Sequence, residues 1–147
     1  MEASIEIKNL YLGLLNAYNT GDVDFMIRYT APADGILVVG TDPDEWWADH
    51  ETFVEAVRVQ LKGFREAGLY ATPGEPQAFV DGRVGWIADR PVWTLPDGTI
   101  TESRVTAVVR WMDGEWKFVQ QHFSLAIRNE DVIEAPETVE LAREVAG

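Results

Sequence analysis

Apolar positions divide the chain into a helix-patterned first part and a strand-patterned second part. Ile7, Tyr11, Leu14 and Tyr18 recur at spacings of three and four, the period of one helix face. Gly21 stops that helix. Asp22 is a good N-cap for a short second helix carrying Phe25, Met26 and Tyr29, which Pro32 ends. The run Gly35-Ile36-Leu37-Val38-Val39-Gly40 is branched, apolar and bounded by glycine, so it predicts a buried strand. Thr41 to Ala48 (TDPDEWWA) has the composition of a loop, yet it holds two adjacent tryptophans. Asp49 then caps a third helix with Phe53, Val57, Leu61 and Phe64 on its apolar stripe, and Gly68 is its expected end.

Beyond Gly68 the period changes to two. Asp-Gly pairs stand at 81–82, 97–98 and 113–114, sixteen residues apart, and Asp-Gly between alternating segments is a hairpin signal. They predict an antiparallel meander of four strands, about 69–80, 83–95, 99–112 and 115–125. Pro73 and Pro76 require the first strand to be broken or at an edge, and Pro91 requires a bulge or edge in the second. After Asn129 the chain is polar and helical, with Pro136 suited to a first helical turn. The expectation is one domain over 1–147, with a core of about 5–127 and a helical tail of about 129–147. Its class is α+β: a cone-shaped, curled antiparallel sheet wrapped around the N-terminal helices.

Length and composition agree with one folded domain: 147 residues, 46% apolar and 11% aromatic. Net charge is −13, which repels phosphate backbones and anionic lipid, so nucleic acid and membrane are excluded as expected partners. There is no cysteine, and the two histidines are His50 and His122. Thiol chemistry is therefore excluded, and neither a metal site nor a cofactor is expected. The start, MEASIEIKNLY, lacks a basic patch followed by an apolar run, so no secretory signal is expected and the cytoplasm is the expected location.

Three stretches carry a resemblance: GTDPDEWWADHETF (40–53), VGWIADRPVW (84–93) and RVTAVVRWMDGEWKFVQQHFS (104–124). With the order of elements, they resemble the SnoaL-like branch of the nuclear transport factor 2-like superfamily, over about residues 5–127. The resemblance implies the cystatin-like cone, a homodimer, and a cavity seen by the positions of Gln121 and Phe123. That superfamily hosts steroid isomerases, polyketide cyclases, dehydratases, epoxide hydrolases and non-catalytic binding domains, so function has to come from the site.

Turn geometry sets the facing of the strands. Pro96-Asp97-Gly98 suits a three-residue loop, which puts Leu95 opposite Thr99. A two-residue turn at Asp113-Gly114 puts Met112 opposite Glu115. Continued without interruption, these registers collect Trp86, Ala88, Arg104, Thr106, Val108, Val119, Gln121 and Phe123 on one face. Ile87, Asp89, Val105, Ala107, Val109, Trp111, Trp116, Phe118 and His122 fall on the other. The resemblance makes the first face concave. A bulged loop at the second turn would exchange Gln121 for His122.

The first functional reading is a domain that binds a small, mostly apolar molecule in the cone. Trp47, Trp86 and Phe123 are its expected walls, and Arg104, Thr106 and Gln121 its polar contacts. Trp46 and Trp47 either wall the mouth or plug the core. Arg104, as an inward charge, needs Asp89, Glu102 or a ligand group as partner. The alternative is a cofactor-free isomerase, cyclase or dehydratase with His122 or Asp42 as base. The steroid isomerases of this fold place an aspartate where Gly40 or Thr41 stands here. The cyclases place a carboxylate near Gln121, and glutamine cannot take a proton. A third reading is a structural dimerisation module. A homodimer is expected because Val105, Val109, Trp111 and Phe118 make the other face too apolar to leave wet.

Overall fold

The computed structural model of the protein describes residues 1–32 and 34–132. In chain order the elements are β1 (Glu2–Ala3), α1 (Ile5–Thr20), α2 (Val23–Tyr29), β2 (Leu37–Val39), β3 (Trp46–Trp47), α3 (His50–Ala67), β4 (Tyr70–Thr72), β5 (Gln77–Asp81), β6 (Val84–Asp89), β7 (Val92–Thr94), β8 (Ile100–Met112), β9 (Glu115–Leu125) and α4 (Asn129–Val132). The helical tail is described only through α4, and Pro136 lies outside the described residues. No helix among the described residues is long and apolar enough to cross a membrane.

Local chemistry sets the helix ends. Ser4 Oγ accepts the Ile7 N–H at 3.2 Å, Asp22 accepts the Phe25 N–H at 3.1 Å, and Asp49 accepts the Thr52 N–H at 2.8 Å. These bonds satisfy N–H groups that the first turn leaves without helical partners. Gly21 and Gly68 close α1 and α3 in the left-handed conformation, at φ 72° and 69°. The predicted stripe of α1, Ile7, Tyr11, Leu14 and Tyr18, is buried, as are Phe53, Val57 and Leu61 of α3.

The strands form a curled sheet in the order β1-β5-β6-β8-β9-β2-β3, with β7 also pairing β8 and β4 pairing β7. The prolines act where the sequence placed them. Pro73 and Pro76 fall in the gap between β4 and β5. Pro91 separates β6 from β7 while β8 runs on past both. Its carbonyl accepts the Ser103 N–H at 3.2 Å and the Ser103 hydroxyl at 2.8 Å, so that carbonyl stays paired across the break. The GILVVG strand lies parallel to β9, outside the meander. The tryptophan pair, expected in a loop, instead returns as the short antiparallel strand β3.

Both hairpin turns form as predicted. The Leu95 N–H donates to the Thr99 carbonyl at 2.9 Å. Met112 faces Glu115 across Asp113 and Gly114, both at positive φ, the signature of a two-residue primed turn. The uninterrupted ladder does not form. Val109 pairs with Phe118 but Val108 pairs with Gln120, so Val119 is an extra residue in β9. This bulge switches which alternate residues of β9 face inward. Trp116 and Phe118 are buried before it, and Gln121 and Phe123 after it.

The predicted concave face is corrected accordingly. Gln121 and Phe123 point to the helices, but they sit opposite Ala107 and Val105 rather than Thr106 and Arg104. The inward face of β8 is Ser103, Val105, Ala107 and Val109, all buried. Arg104, Thr106 and His122 are exposed on the outer face, and Trp86 is half-buried there. The apolar set Val105, Val109 and Phe118, expected to need a second subunit, is the face that the helices already cover.

Close approach of α1 to the sheet depends on Gly85, a buried residue of β6. A Cβ there would meet Ile7 Cδ1 and lie 2.7 Å from the Phe79 carbonyl oxygen. Since backbone cannot yield as a flexible side chain can, Gly85→Ala is expected to destabilise the domain by about 1–3 kcal/mol, the range for overpacking. Urea unfolding of the variant checks this, with wild-type stability as the contrary result.

Candidate functional site

The open end of the curled sheet holds a cavity of about 240 Å³. Its lining comes from widely separated stretches of chain. α1 supplies Tyr18 from its last full turn, and α3 supplies Gln60 and Phe64. The β2–β3 hairpin supplies Val38, Val39, Glu45 and Trp47. The rim is completed by Trp93 of β7, Thr101 of β8, and Phe123 and Leu125 of β9.

Each wall is held by a specific contact. Trp93 donates its indole N–H to Ser103 Oγ at 3.0 Å, and that hydroxyl is anchored on Pro91. Behind Trp93 lies Ala71 of β4, its cross-strand partner. Asn19 fixes β4 to the end of α1 by bonding both the N–H and the carbonyl of Ala71, at 2.7 and 2.8 Å. Tyr18 stands at the centre of the aromatic set. Its ring centroid is 5.5 Å from that of Trp93, 5.9 Å from Phe123 and 5.9 Å from Phe64. Trp47 packs on Phe53 of α3 at 6.0 Å.

The polar part of the cavity is small. Glu45 Oε1 accepts the Asp42 N–H and Glu45 Oε2 accepts the Gln60 side-chain amide, both at 2.8 Å. Gly40 makes room for this, because a Cβ there would lie 2.7 Å from Glu45 side-chain atoms. Burial first, and the negative charge of Glu45 second, hold the Tyr18 phenol well above its ordinary pKa. Tyr18 therefore stays a neutral hydroxyl throughout the physiological range.

The structure brings together only part of the predicted site. Trp47 and Phe123 line the cavity. Trp46, its neighbour in sequence, is 64% exposed. Trp86 lies on the outer face against Phe79, and Arg104 and Thr106 lie on the same outer face, away from the cavity. The bulge is the reason, since it gives Gln121 and Phe123 the neighbours Ala107 and Val105. Asp89, considered as a partner for Arg104, instead accepts the Tyr11 hydroxyl at 2.5 Å and the Gly74 N–H at 3.1 Å. His122 is exposed on the outer face. Asp42 is exposed and its carboxylate accepts the Asp44 N–H at 3.0 Å, a turn role. No group of three or more His, Asp or Glu able to hold a metal ion occurs among the described residues.

Gln121 is fully buried beside Val38, one inward position from Phe123. It is not among the cavity-lining residues, and neither its amide nitrogen nor its oxygen has a hydrogen-bond partner among the described residues. Sequence reading missed Glu45, Tyr18 and Gln60. Tyr18 and Gln60 sit in helices whose pattern speaks of packing alone. For Glu45 a signal existed: an acid beside two tryptophans, five residues after a strand-ending glycine.

Comparison with known proteins follows the same architecture. A model of the SnoaL-like domain matches residues 7–128, and the chain belongs to that family. Among solved structures it is similar to an NTF2-like protein of unknown function from Pseudomonas putida KT2440, with TM-score 0.75 and 16% identity over 86% of this chain and 88% of that one. An uncharacterised protein with a cystatin-like fold from Caulobacter vibrioides gives TM-score 0.70 and 17% identity, covering 90% and 95%. A protein provisionally named a ketosteroid isomerase, from Shewanella frigidimarina, gives 0.66 and 15%, covering 79% and 92%. At these identities the likeness concerns the fold. No curated protein matches the chain.

The two bare polar atoms of Gln121 make a direct prediction. A buried amide without partners costs about 1–3 kcal/mol, so Gln121→Met, of similar length, is expected to raise stability by roughly that amount. Thermal and urea unfolding read the change. A loss of stability instead would mean that the amide is satisfied in solution.

Proposed function

We propose that this SnoaL-like domain binds a small, mostly apolar molecule in the cavity at the open end of its sheet. The observation that carries the reading is the cavity itself: about 240 Å³ left open among Tyr18, Trp47, Phe64, Trp93 and Phe123. A filled cone, as a purely structural module requires, would close that space with side chains. Apolar walls with a few convergent polar groups are the general form of a small-molecule site. Here the polar groups are Glu45, Gln60 and the Tyr18 hydroxyl, all at one cavity. The ligand's apolar body lies against the rings, and its polar end meets Glu45.

A second reading, cofactor-free proton transfer, has one observation in its favour. Glu45 brings a carboxylate, and Tyr18 a phenol that remains protonated, to the same apolar cavity. A base and a neutral donor are what proton abstraction beside a carbonyl needs. Deuterium exchange at the α-carbon of a cyclic ketone, compared between wild type and Glu45→Gln, tests it; equal exchange in the two proteins removes this reading.

The binding reading is tested at the rim. Thr101 lines the cavity yet is exposed, so a tryptophan there can block the mouth with little effect on the core. Isothermal titration with 2-naphthalenemethanol, a neutral ring system with one hydroxyl, is expected to give saturable binding to wild type. Thr101→Trp is expected to weaken it by at least about ten-fold, or roughly 1.4 kcal/mol, with unchanged melting. Binding that is unaffected by the plug would place the compound elsewhere and overturn the reading.

A further inference from the structure

Among the described residues, Glu45 is the one charged residue lining the cavity, and no lysine, arginine or histidine lines it. Both hydrogen bonds to its carboxylate come from neutral donors, the Asp42 backbone and the Gln60 amide. The ion pairs among the described residues, Arg28–Glu115 and Arg128–Glu130, do not involve it. Among the described residues, a half-buried negative charge therefore stands in an apolar wall with no cation lining the cavity to balance it. A carboxylate with two neutral donors still has free lone pairs for a further partner.

The walls favour the same sign of partner. Tyr18 is set at 83° to Trp93 and at 78° to Phe123. Trp93 is set at 64° to both Phe64 and Phe123. Four of the five ring pairs thus meet at steep angles, like the sides of a box, while Tyr18 and Phe64 are tilted at 35°. Aromatic faces carry negative electrostatic potential, and a cation within about 6 Å of a ring centroid is attracted to it. An anionic ligand would meet Glu45 and, among the described residues lining the cavity, no basic side chain. The net charge of −13 also raises the local concentration of cations at the molecular surface.

From these observations we infer that the cavity takes an organic ammonium ion, a protonated or quaternary amine on an apolar body, with its nitrogen between Glu45 and the aromatic box. The inference rests on the proposal that this cavity is a ligand site and specifies the ligand's charge. A neutral alcohol of the same shape is a donor to Glu45 but gains neither the ion pair nor the cation–ring attraction.

The test is a matched pair. At neutral pH and low salt, 2-naphthylmethylamine is protonated, whereas 2-naphthalenemethanol is neutral and nearly identical in shape. Calorimetric titration is expected to show the ammonium binding at least about ten-fold more tightly. In Glu45→Gln that preference is expected to collapse. In Glu51→Gln, which removes an equal charge from the exposed first turn of α3, it is expected to persist. Equal affinity for the two compounds overturns the inference and leaves the cavity as a neutral-ligand site. A preference that survives in Glu45→Gln also overturns it, since net charge alone would then be the cause. Failure of both compounds to bind removes the ligand-site reading together with the inference. Melting of each variant identifies any loss that arises from misfolding, and Glu45→Asp, which keeps the charge, is then expected to retain the preference.

Discussion

The facing of β9 depends on one inserted residue. A strand of regular alternation can present either Trp116 and Phe118, or Gln121 and Phe123, to the helices, but not both pairs. Val119 is accommodated as a bulge opposite Val108 and Val109, and so both pairs turn inward. Before the bulge, Trp116 and Phe118 join the core beneath α1 and α2. After it, Phe123 reaches the cavity and Gln121 enters the interior. Without the bulge, one pair would be exposed to water and the aromatic box would lack its Phe123 wall. Packing of the core and shaping of the cavity are thus one event in this fold.

The cavity has an unusual electrical balance for so apolar a space. Different elements bring opposite characters to it: α1, α3, β7, β9 and Trp47 of β3 contribute rings, and Glu45 in the β2–β3 hairpin contributes the carboxylate. Gly40 is the hinge of that arrangement, because any side chain there would displace Glu45 from the end of β2. The nearby Tyr18 hydroxyl stays protonated, so the cavity holds one negative group and neutral donors. Elsewhere in the interior the balance is more ordinary. Asp89 is also turned inward, but Tyr11 and Gly74 occupy its oxygens, and burial together with that carboxylate keeps the Tyr11 phenol protonated.

Most of the fold was legible because its signals are local. Helix ends follow from Asp and Gly at caps, hairpins follow from Asp-Gly turns, and strand breaks follow from proline; each needs only a few adjacent residues. The site was legible only in part, because it depends on relations that no local pattern records. The Val119 bulge leaves no turn residue or proline in the sequence, so the inferred ladder carried Arg104, Thr106 and Trp86 to the wrong side. Gln121 and Phe123 were placed inward through family resemblance, not through register. Glu45 was hidden because a charged residue in an Asp-rich segment reads as a solvated turn. The two tryptophans beside it are the one local signal against that reading, and they form a short strand paired with β2.

The parallel pairing of β2 with β9 has a consequence for the order of events during synthesis. β2 leaves the ribosome well before β9, the strand it must lie against. Such a long-range contact is slow to form, since most of the chain must be ordered to close the loop between its ends. Until β9 arrives, the hairpin bearing Glu45 and Trp47 lacks the strand it pairs with, and the cavity lacks Phe123 and Leu125. A nascent or truncated chain can form helices and the early hairpins, yet it cannot trap a ligand. The proposed ligand would therefore stabilise only chains in which β9 has been laid down.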